Sequence, residues 1–436
     1  MSEIFSRSLV AQTQQELKIE SLATATIGQM LSLAATLERK TATPFVRMDQ
    51  GIPGLSPCQI GMQAEKEALD RGVASLYPAA EGITELKEQS ARFVKAFLDV
   101  DISPTSCLPT TGSVAGSFGS FAICSQLCNK RDTILFVDPG FPIQKSQLNI
   151  LGVKYIWFDL FEYRGEALAT KLEELLAQGN IAAIVYSSPN NPTWITFTDE
   201  ELQIFGEMAT KYDAIILEDL AYFGMDSREN YGTPFEPPYV PTVARYTQNY
   251  ILFLSSSKIF SYAGQRVAVA CISDKLYNRC YPKLDERYGA QGHFGITFTN
   301  AIMYMITSGV AHSVQCALAA MFKASSDGRF NFIEATEEYA KRAKRMKEIL
   351  HRHGFHIVYD RDIDREIGDG FFFTIGYKDM SCSELVSELV HYGISSISLS
   401  TTGSMRQGVR ACTSRMTSEI MDIFDSRLAQ FAADHK

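Results

Sequence analysis

Six short apolar runs recur between residues 134 and 272, at 134–137, 156–158, 182–187, 214–217, 251–254 and 267–272. A strand that is apolar at consecutive positions has both of its faces covered, which is the condition of a parallel sheet flanked by helices. Helical patterns fit several of the gaps between the runs. Residues 198–211 open on Thr198-Asp199-Glu200-Glu201, where threonine and glutamate can exchange hydrogen bonds with the backbone at a helix start. The alternation predicts an α/β domain around a mostly parallel sheet flanked by helices. Ligands of such sheets sit beyond the carboxyl ends of the strands, so the residues that follow each run are the ones to read for chemistry.

Four of these ends are informative. Residues 134–137 lead into Asp138-Pro139-Gly140-Phe141-Pro142, and 182–187 into Ser188-Pro189-Asn190-Asn191-Pro192-Thr193. Residues 214–217 lead into Glu218-Asp219-Leu220-Ala221-Tyr222, and 251–254 into Ser255-Ser256-Ser257-Lys258, with Arg266 eight residues beyond the lysine. A carboxylate, an amide, a phenol, an aromatic ring and an amine would converge on one edge of the sheet. Turn chemistry explains each loop separately, but not Asp219 and Lys258 together. A lysine at the end of a buried strand is partly desolvated, which lowers its pKa and makes it a nucleophile toward an aldehyde. The neighbouring serines and the arginine fork suit a phosphate. Upstream, Gly112-Ser113-Val114 opens a helix of small residues running to about residue 128, and a helix start of this kind favours an anion.

The flanking regions differ in character. Residues 1–40 read as one or two amphipathic helices, for example 15–37, with no assignable chemistry. Helices are expected at 60–71 and 84–98, with Tyr77 in the loop between them, and a long apolar helix at 300–323. Beyond a break at 325–328 come a charged helix at 332–351, short strands at 371–375 and 409–412, and helices at 382–392 and 417–433. The expected division is a large domain over 61–325 and a smaller α+β domain made of both chain ends, 1–60 and 326–436.

Composition narrows the class. Forty-one basic against fifty acidic side chains give a net charge of −9, with no basic stripe for nucleic acid. No apolar run is long enough to cross a bilayer. The nine cysteines are scattered without C-x-x-C or Cys/His spacing, so free thiols in a reducing cytoplasm are expected and no metal is assigned.

Taken together, the motifs from Gly51 to Arg410 resemble those of the class I/II aminotransferases of fold type I, which use pyridoxal 5′-phosphate (PLP). The resemblance implies that Lys258 of Ser-x-Ser-Lys forms the Schiff base with the cofactor. It implies that Asp219 pairs with the pyridine nitrogen, and that Tyr222 and Asn191 hydrogen-bond the ring hydroxyl. Gly112, Ser113, Val114, Ser255 and Arg266, with Ser257 in the same lysine loop, match the phosphate site, and Phe141 the aromatic stacked on the ring. Tyr77 falls where a tyrosine reaches the phosphate of the other subunit, which implies a homodimer. Gly51 matches a glycine on the substrate side, and Arg410 the arginine that binds the substrate carboxylate.

Two departures stand out. The family's glycine after Asn-Pro-Thr is Trp194 here, and a bulky residue is not expected to use the backbone region open to glycine. The segment Met405-Arg406-Gln407-Gly408-Val409-Arg410 holds two arginines. In a strand, Arg406, Gly408 and Arg410 would share one face, so alternation leaves both open, while the resemblance favours Arg410. No second arginine for a side-chain carboxylate is recognisable, which weighs against a donor restricted to aspartate or glutamate. The same pocket would also serve a PLP-dependent lyase, decarboxylase or synthase. A PLP-binding regulatory domain fits less well, because the residues before Gly51 lack the basic bias of a DNA-binding segment.

Overall fold

Ile251, Leu252 and Phe253 are completely shielded from solvent, because their strand is covered on both faces. Ile251 and Phe253 point into a core with Phe121, Phe298 and Ile302; Leu252 and Leu254 point into another with Phe93, Phe205 and Leu318. Burying each such side chain stabilises the fold by roughly 1.5–3 kcal/mol. This continuous burial is why the run shows no polar alternation.

The structure, a computed structural model, describes residues 3–289 and 292–436. The main sheet contains β1 (Cys107–Thr110), β2 (Thr133–Asp138), β3 (Lys154–Asp159), β4 (Ile181–Ser187), β5 (Ile215–Leu220), β6 (Tyr250–Ser255) and β7 (Ala268–Ile272). Their spatial order is β1-β7-β6-β5-β4-β2-β3. The pairs among β2 to β6 are parallel, and only β7 runs against its neighbours. The expected α/β class and mostly parallel sheet are therefore present. Ser187 pairs with Asp219, and Asp219 with Phe253, so strand ends from separate parts of the chain meet in register.

The two chain ends share another apolar core. Helices α1 (Arg7–Glu16) and α2 (Ile27–Thr41) contribute Val10, Leu33 and Leu37, packed with Ile349, Leu389, Phe424 and Leu428. Behind them lies an antiparallel sheet of β8 (Phe355–Ile357), β9 (Phe372–Tyr377), β10 (Ile397–Ser398) and β11 (Val409–Cys412), in the order β10-β11-β9-β8. A two-residue parallel pairing of Val46 with Ile394 and Arg47 with Ser395 ties the N-terminal strand to this region.

Two sequence expectations need correction. The helix at 15–37 does not form: α1 ends by Leu17, Lys18 turns left-handed (φ +54), and Thr26 starts α2 with a reciprocal capping box to Gln29. The apolar helix at 300–323 is broken. Residues 294–307 are helical, with π-type hydrogen bonding over Thr297–Met303, and the chain then turns at Ser308 (φ +55) and Gly309 (φ +107) before His312–Ser326. Apolar spacing continues across that turn, so periodicity alone could not mark it.

Candidate active site

At the carboxyl edge of β4, β5 and β6 lies a cavity of about 460 Å³. Lys258 reaches it because β6 passes directly into one helical turn, Ser256–Ile259, which Ser255 caps by accepting from the Ser257 N–H (3.2 Å). The Lys258 ammonium donates to the Gly51 carbonyl and lies 5.1 Å from the Phe371 ring centroid. Loss of water around the ammonium, reinforced by Arg410 and Arg266 and opposed by Cys412, lowers its pKa to about 8. The strand-end position thus puts the Lys258 amine at the cavity.

Asp219 lines the same cavity from the end of β5. One carboxylate oxygen accepts from the Ala221 N–H at 3.2 Å, and the other faces the Gln144 amide at 3.4 Å. Burial with so few donors raises its pKa to about 6. A cation placed beside it would restore the ionised form. Tyr222 also lines the cavity; burial raises its phenol pKa well above the ordinary value, against the pull of Arg410.

Another wall of the cavity is lined by Ser113, Val114, Ser255, Ser257 and Arg266. Ser113 and Val114 belong to the first turn of α3 (Gly112–Cys124), where helix N–H groups lack partners within the helix. Glycine suits position 112: its φ is +72, and a Cβ would stand 2.5 Å from Arg266 Nη2, so a side chain there would be strained and would displace the guanidinium. Arg266 itself is exposed and donates to the Ala263 carbonyl at 2.8 Å.

Arg410 and Arg406 separate completely. Arg410 is buried, donates to Asn191 Oδ1 (3.1 Å) and the Asp49 carbonyl (2.8 Å), and lies 4.4 Å from the Phe372 ring centroid. Among the described residues its Nε has no hydrogen-bond partner. Arg406 pairs instead with Glu162 (2.5 Å) and lies 3.9 Å from the Phe161 ring centroid. The shared strand face expected for Arg406, Gly408 and Arg410 does not form, because β11 starts only at Val409 and Gly408 takes φ +142.

Trp194 overturns another expectation. It does take the left-handed conformation (φ +67) and is wholly buried. Its indole meets the Tyr222 ring edge-on, with centroids 5.5 Å apart, and occupies the space beside Gly370, where a Cβ would lie 2.1 Å from the indole. The bulky residue fits because position 370 has no side chain.

Gly51 and Phe141 line the cavity. Tyr77 is 94% exposed and outside this chain's own cavity lining. Residues carrying no sequence motif also take part: Ile27 and Leu31 of α2, Gln50, Ile52, Ile143, Ser187 and Phe372. Asn190 organises the loop beneath Asn191, donating to the Pro139 carbonyl (2.9 Å) and accepting from Thr193. The Asn-Asn doublet could have pointed to it; nothing in residues 1–40 pointed to Ile27 or Leu31.

A family described as "Aminotransferase class I and II" matches residues 43–428, and the chain belongs to it. Aspartate aminotransferase of Pyrococcus horikoshii is 29% identical over 209 residues, covering 47% of this chain and 50% of that protein. Asparagine–oxo-acid transaminase of Streptococcus mutans is 25% identical over 247 residues, covering 56% of this chain and 61% of that protein. The chain thus spans about half to three-fifths of these curated relatives. Among solved structures, alanine aminotransferase from Pyrococcus furiosus aligns with a TM-score of 0.74 at 18% identity, over 96% of this chain and 99% of that one. A Thermus thermophilus aspartate aminotransferase double mutant gives 0.73 at 17%, over 93% and 96%. These structures share the fold.

Proposed function

We propose that the protein is a PLP-dependent aminotransferase that moves an amino group from an L-amino acid to a 2-oxo acid. The observation that carries this reading is the placement of Lys258 and Asp219 in one cavity with Ser113, Val114, Arg266 and Arg410. The donor set fits PLP. The helix start at Gly112 to Val114 beside Arg266 suits the phosphate, and the under-solvated Asp219 suits a protonated pyridine nitrogen. When bound, PLP supplies an electron-deficient ring that makes the α-proton of an amino acid acidic.

The chain's own groups do the rest. Ser113, Val114, Ser255 and Arg266 would hold the phosphate, Asn191 and Tyr222 the ring hydroxyl, and Phe141 a ring face. Arg410, fixed by Asn191 and Asp49, would orient the substrate carboxylate, its two-nitrogen fork matching two oxygens. Lys258, held near pKa 8, is available in neutral form to accept the substrate α-proton and return it. Borohydride treatment of the yellow holoenzyme should abolish its long-wavelength band and leave the cofactor fixed on Lys258, as mapped by mass spectrometry. An adduct on another lysine would refute the assignment. A donor panel assayed for both 2-oxo acid and ammonia separates transamination from lyase chemistry.

The finer organisation belongs to the same reading. A homodimer would cover Tyr77 and bring it to the partner's phosphate site. Among the described residues no helix is long and apolar enough to cross a membrane, and the nine cysteines are free, which supports a cytoplasmic protein. The division at residues 60 and 325 is the working boundary between the two domains.

A further inference from the structure

We infer that the amino donor of this enzyme carries an apolar side chain, aliphatic or aromatic, and no second carboxylate. The inference rests on the aminotransfer reading above and deepens it. Among the described residues, the cations lining the cavity are Lys258, Arg266 and Arg410. Each has a task already: the amine, the phosphate anchor and the α-carboxylate anchor. This chain's own described lining leaves no cation over for a distal carboxylate.

Beside Gln50, Ser187 and the groups already assigned, a set of apolar side chains also lines the cavity. Ile27 and Leu31 come from α2, Ile52 follows Gly51, Phe141 and Ile143 flank the start of a helix, and Phe372 comes from β9. Ile52 and Ile143 keep 45% and 40% of their surface exposed, so apolar area remains at the cavity for a substrate side chain to cover. Covering such area is favourable in itself. A carboxylate set against it would lose water and gain no partner. Arg415 is exposed and donates to Gln50 Oε1 at 3.0 Å; Gln50, not the arginine, lines the cavity. In the balanced reaction the donor leaves as the 2-oxo acid of its own carbon skeleton, and its nitrogen passes to the acceptor 2-oxo acid. The side chain is untouched by the chemistry and is selected only by these walls.

The test uses the holoenzyme. Calorimetry compares 4-methylpentanoate and 3-phenylpropanoate with succinate and glutarate as unreactive carboxylates. The apolar pair should bind at least about tenfold more tightly, as differences of a few methylenes allow. A donor panel should place leucine or phenylalanine above aspartate and glutamate in kcat/KM. Leu31→Ala and Ile52→Ala should each lower the leucine-to-alanine ratio of kcat/KM by about tenfold. Tighter or equal binding of succinate, or a preference for aspartate, overturns the inference. If Arg415→Ala abolishes that preference, Arg415 is the distal anchor; if it persists, a second copy of the chain supplies one. A holoenzyme that binds the apolar carboxylates yet converts no amino acid refutes aminotransfer while still measuring the preference of the walls.

Discussion

Arg410 and Asn191 are hydrogen-bonded across 219 positions of sequence, the guanidinium donating to the amide oxygen at 3.1 Å. The contact joins β11 to the loop after β4, so the antiparallel sheet and the main sheet meet at one buried side chain. With a second nitrogen on the Asp49 carbonyl, the fork is held before any substrate arrives. Lysine cannot reproduce this planar arrangement. Arg410→Lys should lower kcat/KM for amino acid donors by about 30-fold or more, the equivalent of roughly 2 kcal/mol for a lost charge-assisted bond. The cofactor absorbance should persist. Arg406→Lys should stay within a few-fold of wild type; the reverse ranking would make Arg406 the anchor.

Lys258 should titrate apart from the other lysines. Its pKa is about 8, so about a quarter of it is neutral at pH 7.5, against about 0.1% for an ordinary lysine. Pulse labelling of the apoenzyme with an amine reagent across pH 6–11 should give a midpoint near 8 at Lys258 and near 10.5 at exposed lysines. Because the folded pKa is depressed, burial of this group destabilises the fold below the unfolded value and the penalty vanishes above it. A midpoint shared with exposed lysines would show that the amine is solvated.

Asp219 carries the opposite sign. Its folded pKa, about 6, lies above the ordinary value of 3.8. The protonated group is accommodated at low pH, and stability is lost as pH rises through about 6. Asp219→Asn should therefore match wild-type apoenzyme in thermal stability below about pH 4. It should exceed wild type by about 3 kcal/mol at pH 7.5, while turnover of the holoenzyme falls by orders of magnitude. A stability gap independent of pH would show that Asp219 is well hydrated.

Trp194 and Gly370 should behave as one unit. Gly370→Ala places a Cβ 2.1 Å from the buried indole, an overpacking that costs about 1–3 kcal/mol. Trp194→Gly alone opens a cavity beside Tyr222 and should cost about 3–5 kcal/mol. In the Trp194→Gly background, Gly370→Ala should cost little, because the clash has gone. Additive penalties in denaturant unfolding would contradict the contact. Trp157, half exposed, supplies the other tryptophan emission, so a Trp157→Phe background isolates Trp194. Its fluorescence should fall on cofactor addition, since the indole touches Tyr222 in the cavity wall.

Much of this site was legible because strand ends are local. Apolar runs showed where each strand stops, and the next residues, Asn191, Asp219 and Lys258, then stood on one edge. The choice between Arg406 and Arg410 was not available from alternation, since the left-handed Gly408 starts the strand one residue later. Trp194 was misread for a related reason. Its indole fits only because Gly370, 176 positions away, leaves room for it, and no local pattern encodes that. Ile27 and Leu31 carried no signal, because an amphipathic helix announces that it packs and not where.

The walls that would contact a substrate's side chain come largely from segments outside the seven-stranded sheet, whereas Asp219 and Lys258 are rooted in its central strands. A change at Ile27, Leu31 or Ile52 alters a rim and leaves the buried registry of β5 and β6 alone. On the aminotransfer reading, a library confined to α2 and the segment around Ile52 would vary the donor walls and leave β5 and β6 untouched, whereas changes along those buried strands would act on the packing of the fold itself.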